Sequence, residues 1–349
     1  MILLLREITL ALILLICRAQ VAHAGVCPSN PDTIKPCTCT PTTIACETTD
    51  KFELDVVLGL IAKGQDPQGL AFDTFILNAS EISSLDRGVF HGLTFNNLKF
   101  IDCFRLSCVS SEAFAGLQPN VTSIYASDTH FDWFGRRDCS IFEAIRYLKN
   151  LKSLKIVRSK ITEIPDNAFT GKLGQLSDLS TIDFSGGQGG VITQVGEKAF
   201  NDLPNVQLID LSRHRISSIK SHGFEITLPI KNSLLINLEH NALKNNSFGN
   251  SCLKTNVKTE LRLGENINLH CLNEEVFEPF LVNRRNKTED NIIDLTITPI
   301  DCSKCNLWLL ENEVNLNLRD KLKNILTSDG IDFWKKTKDD CSVNSVNVL

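Results

Sequence analysis

The chain has 349 residues, 42% of them hydrophobic and 22% charged, with a formal net charge of −5. It can bury a sizeable core, but its longest basic runs, "NRRNK" and "FWKKTK", are too small for a phosphate-tracking surface, so nucleic acid is not expected as a partner. Thirteen cysteines point away from a reducing compartment.

Residues 1–24 combine Arg6, the apolar run "ITLALILLIC" and "AHA" at Ala22–Ala24, the pattern of a signal peptide cleaved before Gly25. The run is shorter than the roughly 20 residues of a spanning helix, and no later stretch approaches that length, so a secreted, extracellular protein without a membrane anchor is expected. Removing the leader takes Cys17 and leaves twelve cysteines, an even number suited to disulfides. Asn78, Asn120, Asn245 and Asn286 open Asn-x-Ser/Thr sequons and are expected glycosylation sites.

Residues 25–50 read as a cysteine-rich cap. "CPSNPDTIKPCTCTPTTIAC" places Cys27, Cys37, Cys39 and Cys46 in a Pro- and Thr-rich stretch with too few apolar residues to fold unaided.

Residues 51–300 are repetitive. "LKSLKIVRSKITEIPDNAF" (151–169) alternates at Leu154 and Ile156 like a strand, then loosens to Ile161, Ile164 and Ala168/Phe169, as one turn of a solenoid would. Comparable segments close on Phe90, Phe114, Phe169, Phe200 and Phe224, and the spacing is 24 residues both from Phe90 to Phe114 and from Phe200 to Phe224. The longer step to Phe200 contains "GGQGG" (186–190), read as a flexible loop at the coil's edge, and the stretch before Phe169 is expected to hold two coils. With "LLINLEHNALKNNSF" and "ELRLGENINLHCLNEEVF" behind Phe224, the count reaches about eight coils.

Strands in such a coil point alternate residues inward, so one register places Ile76, Phe100, Tyr125, Lys155, Asp183, Asp210, Asn237 and Arg262 in one exposed column. This column is the candidate binding surface, apolar and aromatic at its front and charged at its rear. The same register puts Asn78 on that face.

Residues 301–349 read as a second cap, "IDCSKCNLWLL" running from a strand into helices. Cys302 and Cys305 have a C-x-x-C spacing that also suits zinc or redox chemistry, but a lone pair in an exported chain reads as disulfide, with Cys341 as partner for one of them. Cys252 and Cys271, in adjacent coils, are candidates to pair. Cys103, Cys108 and Cys139 form an odd set, and the readings left open are a buried thiol, a bridge reached by the Cys139 loop, or a bond to another chain.

The pattern L-x-x-L-x-L-x-x-N-x-L with this period resembles the leucine-rich repeat family over about residues 70–300. The fold expected is an α/β solenoid, a horseshoe with disulfide-stabilised caps at both ends, where unpaired coil edges need covering. Ser80, Ser159 and His214 occupy the asparagine position otherwise filled by Asn241 and Asn266, which implies an irregular horseshoe. The front cap resembles those of extracellular leucine-rich repeat proteins, and that likeness implies the pairs Cys27–Cys39 and Cys37–Cys46. Together with "ACETTDKFELDVVLGLI" and "IDCSKCNLWLL" it is similar to a group of secreted arthropod leucine-rich repeat proteins, many named after the non-catalytic subunit of Oplophorus-luciferin 2-monooxygenase.

The resemblance implies a protein partner, a secreted luciferase-like enzyme being one concrete version. The other class is extracellular adhesion or innate-immune recognition of a receptor, glycan or microbial ligand. Catalysis, cofactor and metal are not expected: "DLSRH" sets Asp210, Ser212 and His214 along one strand instead of converging in a triad, and the histidines are scattered.

Overall fold

The computed structural model describes residues 25–343 apart from 68, 118, 132–137, 170–175, 202, 228–232, 283–289 and 315. The expected signal peptide, residues 1–24, and the sequon at Asn286 lie outside the described residues. Strand alternation builds one twelve-stranded sheet whose strands follow chain order. They are β1 (Cys37–Cys39), β2 (Thr43–Thr48), β3 (Ala71–Ala79), β4 (Thr94–Ile101), β5 (Ser123–Ser127), β6 (Ser153–Val157), β7 (Thr181–Asp183), β8 (Leu208–Asp210), β9 (Leu234–Asn237), β10 (Thr259–Arg262), β11 (Ile292–Asp294) and β12 (Leu322–Lys323). β1 is antiparallel to β2, and from β2 onward neighbouring strands are parallel. This is a leucine-rich repeat solenoid in which β3 to β10 are the strands of eight coils. The return segments pair only as short strands, among them Glu163–Ile164, Gln194–Val195 and Ser218–Ile219, and the continuous sheet lines the inner, concave side as in other solenoids of this repeat.

Most coils turn sharply after the strand. Asp102, Asp128, Arg158, Arg213, His240, Glu265 and Ile297 sit there with φ between 51° and 61°. The following residue turns inward, and at Cys103, His214, Asn241, Asn266 and Thr298 it ties its coil to the one before. Asn241 Nδ2 donates to Leu211 O at 2.9 Å, and Asn266 Nδ2 donates to Leu238 O at 3.0 Å. Cys103 holds the equivalent place, its thiol 3.3 Å from Leu77 O, and His214 holds it with Nε2 on Phe184 O. In the irregular third coil the place falls to Thr129, a buried hydroxyl without a partner among the described residues.

Below this ladder runs a file of buried phenylalanines. Phe169, Phe200 and Phe224 stack at 5.1 Å between successive centroids, and Phe90 and Phe114 lie 6.3 Å apart. The gap between Phe114 and Phe169 is filled by Phe142, edge-on to Phe169 at 5.8 Å. It sits on the short helix Ile141–Ile145, whose N-cap Ser140 accepts the Glu143 N–H at 3.2 Å. Thus two coils do occupy the stretch, the first closed by a helix.

"GGQGG" is not an open edge loop at its two ends. Gly186 and Gly190 are buried against the Arg213 carbonyl and the His214 ring, and a Cβ on Gly190 would lie 2.0 Å from Arg213 O.

Cys27 bridges Cys39 and Cys37 bridges Cys46, closing the front cap. Cys108 bridges Cys139 across the third coil, and Cys271–Cys305 with Cys302–Cys341 hold the rear. The expected Cys252–Cys271 pair does not form, because Cys271 is taken by Cys305 and Cys252 lies fully buried with a free thiol. Cys103 is the other free thiol among the described residues and is also fully buried, so neither is presented to another chain. Burial raises both thiol pKa values, that of Cys252 to about 12. A thiol reagent should therefore label neither in the native protein and both after unfolding in denaturant without reductant; native labelling of Cys103 would remove its ladder role.

Candidate functional site

Strand pairing fixes the exposed column residue by residue. Ile76 is opposite Lys99, Lys99 opposite Tyr125, Tyr125 opposite Lys155, and the file continues through Asp183, Asp210, Asn237, Arg262, Asp294 and Lys323. Phe100 does not belong to it. Its ring is fully buried and meets Phe75 at 6.3 Å and Phe131 at 6.3 Å, so Lys99 takes the concave position and the front mixes cations with the apolar Ile76 and aromatic Tyr125. The other seven residues of the expected column stand in register.

Two halves of the column differ in what their side chains do for the fold. In the rear they complete turns: Asp183, Asp210, Asn237 and Asp294 each accept, through Oδ1, the N–H two residues on, at 3.0, 2.9, 3.1 and 3.0 Å. Asn237 also donates to Asp210 Oδ2 at 3.1 Å, and Arg262 donates to Glu260 at 2.8 Å. Strands there are three or four residues long, and an Asx turn ends each at once. Glu239 faces Asp294, Asp210 and Glu265; burial first, then this negative field against the opposing pull of Arg262, leaves its carboxyl above the ordinary value.

At the front, Lys99, Tyr125 and Lys155 end no strand and cap no turn. Lys99 is exposed and the other two half-buried, and among the described residues neither lysine forms a salt bridge. Lys99 reaches Asp73 only through its field, a minor cause beside the Asn96 hydrogen bond that lowers that carboxyl. Flanking rows are small and polar on one side, Asn97, Ser123, Ser153 and Thr181, with Ile101, Ser127 and Val157 on the other. At the rim Arg158 clamps Asp128 with both its Nε (3.0 Å to Oδ1) and Nη2 (2.6 Å to Oδ2), which holds the carboxyl below its ordinary value.

Asp210, Ser212 and His214 do not converge. Asp210 accepts the backbone N–H of Ser212, whereas His214 points into the core with Nδ1 accepting from Ile192 N at 3.3 Å.

Sequence reasoning missed Lys99 and the ladder role of Cys103 together, and one signal finds both. Buried residues precede the ladder position by five and three: Leu98 and Phe100 before Cys103, Leu154 and Ile156 before Ser159, Leu261 and Leu263 before Asn266. Cysteine is an accepted alternative to asparagine in this repeat, and aligning Cys103 turns Phe100 inward.

No protein-family model matches the sequence, and no curated protein matches it. Among solved structures the chain is similar to TLR13 in its complex with ssRNA13, at 12% identity over 78% of this chain and 59% of that one, with a TM-score of 0.28. The chain thus spans about three fifths of that neighbour's length.

A leucine-rich repeat solenoid offers an extended concave surface suited to holding a macromolecule. Five disulfides are consistent with an extracellular place. Among the described residues no helix is long and apolar enough to cross a membrane.

Proposed function

We propose that this protein is a secreted, non-catalytic recognition module that grips an acidic segment of a protein partner across Lys99, Tyr125 and Lys155. The observation that carries the reading is the contrast within one column: rear side chains complete the fold, while the front triad, exposed at Lys99 and half-buried at Tyr125 and Lys155, carries two cations that no turn or salt bridge uses among the described residues. An aromatic ring flanked by two unpaired ammonium groups supplies contact area and charge together, the composition of a binding hot spot. The acidic rear then discourages a partner from binding in the reversed direction.

The resemblance to the luciferase-associated group makes a secreted enzyme, stabilised by this subunit, the concrete partner. Adhesion or innate-immune recognition, with a receptor, glycan or microbial ligand, uses the same face and is separated by what is captured. Immobilised full-length protein exposed to an extract of the secreting tissue should retain a luciferase-like enzyme under the first reading and a cell-surface protein or microbial polymer under the second.

Tyr125→Ala with Lys155→Ala should weaken the captured complex by about 2 kcal/mol or more, roughly thirtyfold. Stability should hold within about 1 kcal/mol, because both side chains are on the surface. Titration calorimetry on the purified pair reads the first and a thermal melt the second; an unaltered affinity defeats the assignment.

A further inference from the structure

An open hollow of about 480 Å³ lies at the front rim of the concave face, between the front cap and the first coils. Thr48, Thr49, Asn78, Ser80, Asp102 and Phe104 line it. Asn78 and Ser80 are the first and third residues of a sequon, and Phe104 is a large apolar side chain left 49% exposed. The ring is held edge-on by His130, centroids 6.5 Å apart.

The sequon at Asn245 stands differently. Asn245 Oδ1 accepts the His270 and Cys271 N–H groups at 2.9 and 3.0 Å, so its amide is part of the fold. Asn78 has no hydrogen-bond partner for its amide among the described residues, and the Phe104 ring lines the same hollow. A single exposed phenylalanine is ordinary on a surface, but beside an unengaged sequon asparagine it offers an apolar platform within reach of whatever that asparagine carries. A pyranose is such a group: the C–H bonds of one face carry partial positive charge toward the negative face of an aromatic ring, while its hydroxyls remain available to Thr48, Thr49 and Asp102.

We infer that Asn78 carries an N-linked glycan whose first N-acetylhexosamine lies in this hollow against Phe104. The inference rests on the proposed export of the chain. Attachment transfers an oligosaccharide from a polyprenyl diphosphate donor: the C1–O bond to the diphosphate breaks, a bond forms between C1 and Asn78 Nδ2, one amide proton is lost and the diphosphate leaves. Seated there, the sugar covers the front rim and confines a protein partner to the column from Lys99 rearward.

The test uses the full chain expressed through a eukaryotic secretory pathway, as wild type and as Phe104→Ala. Glycopeptide mass spectrometry reads occupancy at each sequon, and timed digestion of the native protein with peptide N-glycosidase reads access to the first sugar. Asn78 should be occupied, and its glycan should leave about tenfold more slowly than in Phe104→Ala, the ratio expected for an aromatic contact near 1.4 kcal/mol. Export with Asn120 or Asn245 occupied and Asn78 bare overturns the inference alone, as does an equal release rate in the two proteins. A chain retained in the cell with every sequon bare overturns the export reading as well.

Discussion

Replacing Phe200 by alanine should remove about 3–5 kcal/mol of stability, the range for truncating a buried phenylalanine. Its ring lies between Phe169 and Phe224, 5.1 Å from each and within 14° and 2° of parallel, and is fully shielded from water. In a solenoid each coil touches only its neighbours, so this ring serves two coil interfaces at once. The cavity cannot close by collapse, since the ladder above it fixes the distance between coils. Urea unfolding followed by circular dichroism should show the loss together with a smaller slope or a split transition, as front and rear halves uncouple. Phe104→Ala, at the exposed rim, is the control and should stay within about 1 kcal/mol. A loss under about 1 kcal/mol for Phe200→Ala would mean that the phenylalanine file does not join the coils.

The same file explains what the sequence disclosed and what it withheld. Phe90, Phe114, Phe169, Phe200 and Phe224 repeat because each closes a coil against the next, so their spacing shows in the sequence without coordinates. Phe142 is hidden, since it arrives on the helix Ile141–Ile145 and not on a strand-and-turn return, leaving no motif around it to match. At β4 two adjacent apolar residues, Phe100 and Ile101, permit either register by alternation alone. Only the third contact, Cys103 reaching Leu77 O, decides it, and a cysteine invites reading as half of a disulfide before it is read as a hydrogen-bond donor. Cys252 misled for a similar reason: adjacency of coils allowed a bridge to Cys271, while the Cys305 thiol arriving from the rear cap took that place.

Legibility of the column follows from the same physics. From β5 to β10 a single buried pair surrounds each central residue, as Leu154 and Ile156 surround Lys155, and the register is plain from Tyr125 to Arg262. What alternation cannot show is which of those side chains the fold consumes. That Asp183, Asp210 and Asn237 complete Asx turns, while Lys99, Tyr125 and Lys155 do not, depends on strand length, and strand length is set by where each coil bends.

Acidification should destabilise the protein through His214, and the direction follows from its surroundings. The imidazole stands where other coils carry asparagine, with Nε2–H donating to Phe184 O and Nδ1 accepting from Ile192 N. Gly186 and Gly190 make room for it, since a Cβ on either would come within 2.7 Å of the ring. This neutral tautomer satisfies both neighbours; a proton on Nδ1 would face the Ile192 N–H and lose that bond. Burial therefore lowers the pKa of His214 from 6.5, against weaker opposing effects of the Phe184 carbonyl and the Asp210 carboxylate. The unfolded chain takes up this proton near the ordinary histidine value while the folded chain resists it. His214's stabilising contribution is thus complete above about pH 6.5 and is lost as pH falls from there toward the folded value, at a slope approaching 1.4 kcal/mol per unit. In His214→Asn, which keeps a ladder donor and cannot titrate, the slope of unfolding free energy against pH between about 6.5 and 5 should flatten by up to that amount. Urea titrations of both proteins across that range measure it, and parallel slopes would show that His214 is not the group that couples this solenoid to pH.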